Sequence, residues 1–455
     1  MQSAGTIKDL KVKVTYKQIL SIALPITLAI LVPQINMLTN SIFLGNLSIE
    51  ALGNAGITGV FYLIFAVAGN GLNNGMQSVF SKYAGSGDTG AFKTILAEGM
   101  RISLQLAFAG ILVTWFIAPL IMQRIAAPES YPQEMSFLRI RIFGLPFLYL
   151  FQMGNVFLIA SLNSRYLMIG FIAEALFNIL LDYLLIFGNW GFPKMGFNGA
   201  ALASVIAEGI GFVAVFIVLY KTGLQQQYGL LKKYTYDKVK SNEIIKVATP
   251  LTLQFVLSVG TWLLFFILIE NKGIAAKAIS NTMRNVFGMV GVFVWAFAGT
   301  CNTMVSNLMG QQKEDKVIPA IEKIMVLSVG FCLVMCGIVN LFPAAFFRLF
   351  GQGSGFIEQG IPVLRVVSAG MLCMSVANIW LNGVTGTGKT RMNLVIEIIS
   401  IAVYISYTWV FMKVNYISLE VAWTNEMVYW ITIFITAFIY LKSGRWKTKV
   451  FDKVV

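Results

Sequence analysis

Polar side chains recur at four-residue spacing inside a long apolar stretch of the sequence. Glu174, Asn178 and Asp182 lie within the stretch 166–188, where residues four apart share one face of a helix. Leucines flank Asp182 on both sides, so its carboxylate is predicted to be buried. Burying an ionisable group at membrane depth costs about 3 kcal/mol or more, so such a group usually has a function.

Two other apolar stretches carry similar polar pairs. Asn36 and Asn40 are four residues apart, and Ser204 and Glu208 repeat that spacing. Counted along the predicted helices, Asn40, Asp182 and Ser204 fall at similar depth. One carboxylate with amide and hydroxyl oxygens around it could bind Na⁺ or a proton. The alternative is a network of hydrogen bonds that only holds helices together.

The composition excludes several kinds of enzyme. The chain has no histidine, which removes His-ligated haem, most zinc sites and every triad that uses a histidine base. Its four cysteines lie in apolar stretches without a CxxC pair and are read as small buried hydrophobic side chains. The acids do not cluster as a carboxylate enzyme would need. We therefore predict neither an enzyme nor a resident cofactor.

One motif matches a nucleotide-binding loop. Residues 383–390 read GVTGTGKT and fit the pattern G-x-x-x-x-G-K-T. That loop binds phosphate only between a buried strand and the start of a helix in an α/β sheet. Here it joins two apolar stretches of helical length. We predict a tight glycine turn, and we expect no ATP as a partner.

Hydropathy places the chain in a membrane. It is 57% hydrophobic and 12% charged, with a mean hydropathy of +0.75. Apolar runs long enough to cross a bilayer recur along its length. The predicted spans are 18–44, 51–83, 92–123, 134–162, 166–188, 197–220, 243–270, 275–308, 316–348, 358–385, 392–413 and 420–441.

The net charge of +14 follows the membrane topology rather than indicating a nucleic-acid partner. With the N-terminus inside, lysines and arginines in the loops of that side far outnumber those in the opposite loops. This bias predicts a protein of the cell (inner) membrane with both termini in the cytoplasm. The longest hydrophilic stretch, 222–242, is then a cytoplasmic linker.

The chain reads as two versions of one hydrophobic unit. Ala23-Leu24-Pro25 returns as Ala248-Thr249-Pro250, and Gly85 returns as Gly310 at the same spacing. Each copy has six predicted spans, so the second enters from the same side as the first. We predict an all-α membrane protein with two six-helix bundles, residues 1–225 and 226–455, related by a parallel pseudo-two-fold axis. Such pairs are typical of secondary transporters that work by alternating access.

At this point the sequence resembles the multidrug and toxic compound extrusion (MATE) family over nearly its full length. The segments that carry the resemblance are Ala23-Leu24-Pro25, LTNSIFLG at 38–45, NILLD at 178–182 with LIFG at 185–188, and GAALAS at 199–204. The turn GTGKT at 386–390 is also similar, with Lys389 where an aspartate is usual. The resemblance implies a cation-coupled antiporter that exports amphipathic, often cationic, drugs.

The resemblance also implies where the sites lie. It places a cation site at Asp182, Asn178, Ser204 and Asn40, with Na⁺ or H⁺ as the coupling ion and Asp182 and Asn178 as ligands of Na⁺. Asn40 departs from the aspartate typical of the family, so one of two carboxylates is missing. Acids that some relatives carry in the second bundle appear here as Ser258 and Ser375. The first bundle is therefore the better candidate for coupling.

A substrate cavity is predicted in the first bundle. Gln34 and Asn155 resemble family residues that face it. Asn36 and Glu174 are added because they belong to the polar residues spaced four apart, here called the polar stripes. Glu174 and Glu397, near the inner ends of their spans, are also expected to partner basic residues. The expected partners are small amphipathic molecules, the coupling cation and membrane lipids, and the chain is expected to be a monomer.

An alternative is a flippase for lipid-linked saccharides or other envelope lipids. Flippase cavities tend to be strongly cationic, whereas few basic residues lie in the middle of the predicted spans. The candidates are Arg101, Arg139, Arg141, Arg284 and Arg365.

Overall fold

A computed structural model describes residues 9–230, 235–270, 273–349, 354–412 and 417–447. Within these ranges the chain is helical and contains no strand. The helices of the first part are α1 (Tyr16–Leu47), α2 (Ile49–Ser86), α3 (Phe92–Phe116), α4 (Ala118–Ile125), α5 (Tyr131–Arg141), α6 (Leu145–Ala160), α7 (Leu167–Phe187), α8 (Phe197–Lys221) and α9 (Leu224–Gln227). Those of the second part are α10 (Lys238–Glu270), α11 (Ile274–Gly310), α12 (Val317–Leu341), α13 (Pro343–Leu349), α14 (Ser354–Gly386), α15 (Thr390–Met412) and α16 (Leu419–Lys442).

The described part of the chain contains 12 helical stretches long and apolar enough to cross a membrane. They correspond one to one with the predicted spans, so the all-α membrane fold is confirmed. Two predicted spans, 92–123 and 316–348, were too long. The first breaks after Phe116 and resumes as α4, and the second breaks after Leu341 and resumes as α13.

A proline stands at the start of the helix that follows each break. Pro119 stands in the first turn of α4, and Pro343 is the first residue of α13. Proline lacks an N–H and fixes φ, so it is tolerated in the first turn of a helix but disrupts the interior. The span predicted at 134–162 is also divided, because a 3₁₀ turn at Ile142–Gly144 separates α5 from α6.

The chain divides into two compact units that do not coincide with its sequence halves. Unit 1 comprises residues 24–252 together with the segment before Val12. Unit 2 comprises residues 12–23 and the chain from Leu253 onward. The first turns of α1 therefore belong to unit 2, and the first turns of α10 belong to unit 1. The division of the sequence into repeats at 1–225 and 226–455 stays a prediction.

Ionic and hydrogen-bonding contacts hold the start of α10 within unit 1. Glu243 accepts from Lys82 Nζ at 3.0 Å and from the Tyr83 hydroxyl at 2.8 Å. Glu98 Oε1 accepts from the backbone N–H of Asp237 at 2.8 Å. Of the predicted linker 222–242, residues 231–234 lie outside the described residues.

Small residues allow α10 to approach α2 closely. A Cβ at Gly71 would lie 2.5 Å from the Thr252 Cα, and one at Gly75 would lie 2.6 Å from the Ala248 Cα. Gly71 and Gly75 are four residues apart, so they present one bare stripe of α2 to the partner helix. A larger side chain at either position would separate the two helices.

Hydrogen bonds hold the segment before α1 within unit 2. Asn307 Oδ1 accepts from the backbone N–H of Val12 at 3.0 Å, and Gln311 donates to the Val12 carbonyl at 3.1 Å. Lys323 Nζ donates to the carbonyl of Val14 at 3.1 Å. The start of the first sequence half is thus bonded to unit 2, which consists mainly of the second half. The start of the second half is bonded to unit 1, which consists mainly of the first half.

Candidate functional site

The predicted polar stripes meet between α7 and α8 because small residues bring these helices together. A Cβ at Gly199 of α8 would lie 2.6 Å from the carbonyl oxygen of Leu185 on α7. One at Gly211 would lie 3.2 Å from the Glu174 Cβ. Gly188 ends α7 in the left-handed conformation at φ +76°, which lets the chain turn back into α8. Ser204 on α8 is thereby placed beside Asn178 on α7.

The side-chain amide of Asn178 is the centre of this site. One of its two polar atoms lies 3.1 Å from Asp182 Oδ2, 2.9 Å from Asn40 Oδ1 and 3.0 Å from Asn36 Oδ1. The other lies 3.3 Å from the Ser204 hydroxyl and 3.2 Å from the Ser204 backbone nitrogen. α1, α7 and α8 therefore supply five side chains to one cluster.

The neighbours of this amide fix its orientation. With its nitrogen toward Asp182, Asn178 donates to the acceptors there, and its oxygen accepts from the hydroxyl and the backbone N–H of Ser204. In the opposite orientation its oxygen would face the oxygens of Asp182, Asn40 and Asn36, and its nitrogen would face the Ser204 backbone N–H. The first orientation satisfies both ends of the amide.

Asp182 has the chemistry of an ion-binding residue. Its side chain is fully buried, and its Oδ1 has no hydrogen-bond partner among the described residues. No lysine or arginine of the described chain pairs with it. A buried carboxylate without a countercharge is costly and is usually neutralised by a proton or a cation. The oxygens of Asp182, Asn40 and Asn36 converge on one end of the Asn178 amide, whereas Ser204 lies at the other end.

The four residues predicted to line a substrate cavity do not form one cluster. Asn36 joins the Asn178 cluster. Gln34 is half-buried on α1, and Asn155 on α6 is buried with neither amide atom hydrogen-bonded within the described chain. No described contact joins Gln34 or Asn155 to Asp182. Glu174 packs on Gly211, and its charged neighbours are Glu208 and Arg141. Their role in binding substrate stays a prediction.

A buried ion pair lies next to this region. Arg141 donates to Glu208 through both terminal nitrogens, at 2.9 and 2.5 Å. Its guanidinium lies 3.8 Å from the centre of the Tyr62 ring, and the Tyr62 hydroxyl donates to Glu208 at 3.3 Å. The sequence indicated both charged residues but not their pairing, because α5 and α8 are far apart along the chain.

A polar cluster of α2 and α6 was missed by the sequence reading. Gln152 of α6 accepts from the Asn73 amide and donates to Asn70 Oδ1 at 3.1 Å. Asn70 and Asn73 are three residues apart on one helix face. This three-residue spacing of two asparagines is the sequence signal that could have identified the cluster.

The expectation that Glu397 partners a basic residue was wrong. Its carboxyl instead accepts from the Tyr429 hydroxyl at 2.5 Å and from the Gln254 amide at 3.4 Å. Glu397 is buried deep inside unit 2, where long basic side chains cannot keep their charged ends in water. Tyrosine and glutamine supply donors at a lower desolvation cost.

Residues 387–389 of the stretch 383–390 form a turn between two helices, and residues 383–386 are the end of the first. α14 ends at Gly386 and α15 begins at Thr390, with Gly388 between them at φ +76°. No strand precedes the turn in the described chain, so the fold that a phosphate-binding loop requires is missing. Partial burial lowers the pKa of the Lys389 ammonium below its usual value.

The family model described as MatE matches residues 25–184 and again 250–410. The chain belongs to this family. The first match contains Asn36, Asn40, Asn178 and Asp182, and the two matches have the spacing of the internal repeat. MatE proteins are secondary transporters rather than enzymes, which confirms the class predicted from the repeat.

Curated relatives align over most of the chain. A probable multidrug resistance protein NorM of Thermotoga maritima is 23% identical over 95% of this chain and 93% of the relative. The multidrug export protein MepA of Staphylococcus aureus is 24% identical over 86% of each. A FAD transporter of Shewanella oneidensis is 24% identical over 72% of each.

Solved structures share the fold. A multidrug resistance MATE family transporter in an outward-facing conformation matches with a TM-score of 0.86 at 16% identity, covering 98% of this chain and all of that one. A superfamily transporter from Pyrococcus furiosus, described as having a binding pocket of reversed polarity, matches with a TM-score of 0.85 at 16% identity over 98% of each.

Proposed function

We propose that this MatE protein is an antiporter that exports amphipathic, often cationic, organic compounds in exchange for Na⁺ or H⁺. The observation that carries the proposal is the buried carboxylate of Asp182, which has no basic partner among the described residues and lies 3.1 Å from a polar atom of the Asn178 amide. Family membership, and relatives named as multidrug transporters, support the substrate class. The lysine bias of the loops supports cytoplasmic termini in the inner membrane.

Coupling requires that occupancy of the site favours one conformation over another. With Asp182 ionised and no cation bound, the inward-facing nitrogen of Asn178 compensates part of the charge. When a proton or a cation neutralises the carboxylate, the attraction between the Asn178 amide and Asp182 becomes weaker. The contacts among α1, α7 and α8 then differ between the two states. A difference in affinity of this kind is what shifts a conformational equilibrium.

The flippase alternative is weakened by the pairing of the basic residues. Arg101 pairs with Glu98 at 2.9 Å, and Arg141 pairs with Glu208. Two of the five candidates for a cationic cavity are therefore neutralised by neighbouring carboxylates. A lipid-linked pyrophosphate would need basic groups that are free to bind it.

The test is transport by the full chain in proteoliposomes, with Na⁺ and H⁺ gradients imposed separately. We expect one gradient to drive export of cationic dyes without ATP, and Asp182→Asn to abolish the gradient-driven part. The matched control is Tyr183→Phe, at the neighbouring exposed position on α7, which should keep the normal rate. Normal ion-dependent transport by Asp182→Asn would contradict the proposal.

A further inference from the structure

The first half of α11, in unit 2, exposes a polar face. Between Ala275 and Gly288 every apolar side chain larger than alanine is buried, Met283 and Phe287 among them. The residues that are not buried are small or polar: Ala275, Ala276, Lys277, Ala278, Asn281, Arg284, Asn285 and Gly288. Residues at intervals of three or four lie on one side of a helix. Such intervals join the residues that we call the polar face of α11: Lys277, Asn281, Arg284, Asn285 and Gly288.

This face differs from a helix surface that contacts lipid. A side of a helix that borders lipid tails is apolar along its length. α12 of the same unit has such a side, which exposes Val326, Leu333, Val334, Ile338 and Leu341. The apolar part of α11, by contrast, is the most buried among the described spans. Its polar face therefore suits contact with water or with a polar ligand.

Arg284 supplies a positive charge to this face. It lies about 15 Å along the helix from Ile274, at 1.5 Å per residue. In the described chain its guanidinium forms no ion pair and no hydrogen bond, whereas Arg101 and Arg141 each pair with a glutamate. A guanidinium with free donors is suited to bind a carboxylate or a phosphate.

The buried side of α11 fixes the position of Arg284. Trp423 of α16 donates through Nε1 to the Ser280 hydroxyl at 3.2 Å. Its ring also stacks on Phe287 with centroids 5.9 Å apart. Arg284 lies between these two anchored residues, so its backbone is held while its side chain stays exposed. A backbone that is already positioned reduces the entropy lost when the side chain binds a ligand.

The same side of α11 continues as a bare surface and then as an aromatic one. Gly288 lies one turn after Arg284 and has no side chain. Trp295 lies about three turns after Arg284, roughly 16 Å along the helix, and is 40% exposed. Its ring packs over Gly291, where a Cβ would lie 3.1 Å from it. A guanidinium at one end and an indole at the other match a molecule with an anionic group on an aromatic body.

The first copy of the repeat has no such face. α2 begins at Ile49 and α11 at Ile274, so equivalent positions are 225 residues apart. The positions that correspond to Lys277, Asn281, Arg284 and Asn285 are exposed as well, but they are the uncharged residues Leu52, Gly56, Gly59 and Val60. The shared architecture therefore does not require the polar face, which belongs to the sequence of unit 2 alone.

We propose that the polar face of α11 binds the anionic group of an amphipathic substrate through the guanidinium of Arg284, and that the exported compounds include zwitterions. Asn281 and Asn285 supply amide donors next to the guanidinium, and Trp295 contacts the apolar body of the molecule. This inference rests on the proposed export function, for which it names a substrate class. It does not depend on coupling at Asp182.

Binding of two matched dyes to the full chain in maltoside detergent tests the proposal. Tetramethylrhodamine has a free carboxylate, whereas its methyl ester has the same cationic ring system with the carboxylate blocked. Fluorescence anisotropy measures the affinity for each. We expect Arg284→Gln to weaken binding of the acid about tenfold and to leave the ester unchanged, because only the acid loses charge-assisted hydrogen bonds.

Two further variants separate direct binding from other effects. Arg284→Lys should recover part of the affinity for the acid, because it keeps the charge without the planar fork. The matched control, Arg391→Gln, changes another exposed arginine of unit 2, near the start of α15, and should bind both dyes as the unmodified protein does. An equal effect of Arg284→Gln on acid and ester would overturn the proposal. Failure of the unmodified protein to bind the acid would overturn it as well.

A lipid headgroup is the other source of an anionic group. The binding measurement is therefore repeated in nanodiscs of phosphatidylcholine with and without phosphatidylglycerol. We expect the affinity for the acid to stay the same, and displacement of the acid by phosphatidylglycerol would assign Arg284 to lipid and overturn the proposal. Because no ion gradient is present, the result is independent of coupling. Gradient-driven export of the ester would show that the proposed function holds even where this inference fails.

Discussion

Asn178 and Asp182 lie one helical turn apart on α7, and a polar atom of the Asn178 amide lies 3.1 Å from Asp182 Oδ2. The same atom contacts both asparagines of α1, and the other end of the amide contacts Ser204 of α8. A single side chain therefore links three helices to the carboxylate.

Replacing this amide should uncouple the site without unfolding the protein. We expect Asn178→Ala to reduce gradient-driven dye export at least tenfold, because Asp182, Asn40 and Ser204 lose their common neighbour. Export rates in proteoliposomes measure the effect. Leu180→Ala, at an exposed position of the same helix, is the control and should behave as the unmodified protein. Equal rates for the two variants would rule out a central role for Asn178.

Restoring a second carboxylate at residue 40 should change the ion dependence rather than abolish transport. Asn40→Asp places a negative charge next to the Asn178 amide and near Asp182. Two adjacent carboxylates share a proton or attract a cation more strongly than one does. Transport measured against Na⁺ concentration and pH should show a shifted midpoint. A profile identical to that of the unmodified protein would place residue 40 outside the ion site.

Breaking the buried ion pair of unit 1 should cost stability. We expect Glu208→Gln to lower the free energy of unfolding by about 3–5 kcal/mol, because Arg141 is left as an uncompensated buried charge. The pair Lys442–Glu322 is half-exposed, and surface pairs contribute about 0–1 kcal/mol. Thermal unfolding in detergent should therefore separate Glu208→Gln from Glu322→Gln. Equal melting temperatures would show that Glu208 is dispensable.

Lys389 should be dispensable for the supply of energy. The residue lies in a turn between α14 and α15, where no phosphate-binding fold exists in the described chain. We expect Lys389→Ala to transport at close to the normal rate, and we expect no specific ATP binding before or after the change. If the unmodified protein binds ATP specifically and Lys389→Ala abolishes that binding, the gradient-driven mechanism is contradicted.

The topology can be tested by labelling introduced cysteines from each side of the membrane. Cysteine at Gln226, in α9, should react only from the cytoplasm, and cysteine at Asn189, after α7, only from outside. The native cysteines give little background, since Cys301, Cys332 and Cys336 are buried and Cys373 is half-buried. Labelling of both positions from the same side would overturn the six-plus-six arrangement.

The sequence revealed contacts whose partners share a helix or a repeat. Four-residue spacing placed Asn178 and Asp182 on one face, and the count of residues along each span placed Asn40 and Ser204 at a similar depth. The charge on Glu208 was equally visible, but its bond to Arg141 uses the space beside Gly144, where a Cβ would collide with both side chains. Spacing within one segment contains no information about that contact between α5 and α8.

The environment of Glu397 shows the same limit. Its helix periodicity did not reveal that Tyr429 of α16 and Gln254 of α10 would reach it, so a basic partner was expected from its position near the inner end of its span. The orientation of the Asn178 amide could not be predicted either, since it depends on distances of about 3 Å among three helices. The number of spans and the polar faces of the helices can be predicted from the hydropathy pattern. Hydrogen-bond partners depend on how the helices pack against each other.

The assignment of residues 12–23 to unit 2 and of residues up to Thr252 to unit 1 bears on how the protein can be dissected. A gene cut between Gln227 and Lys238 would yield two polypeptides, and neither would contain one complete unit. Each fragment produced alone should be short-lived in the cell, because the helix end that finishes its unit is encoded on the other fragment. Produced together, the fragments should complement each other, as partners do in a reciprocal exchange of segments.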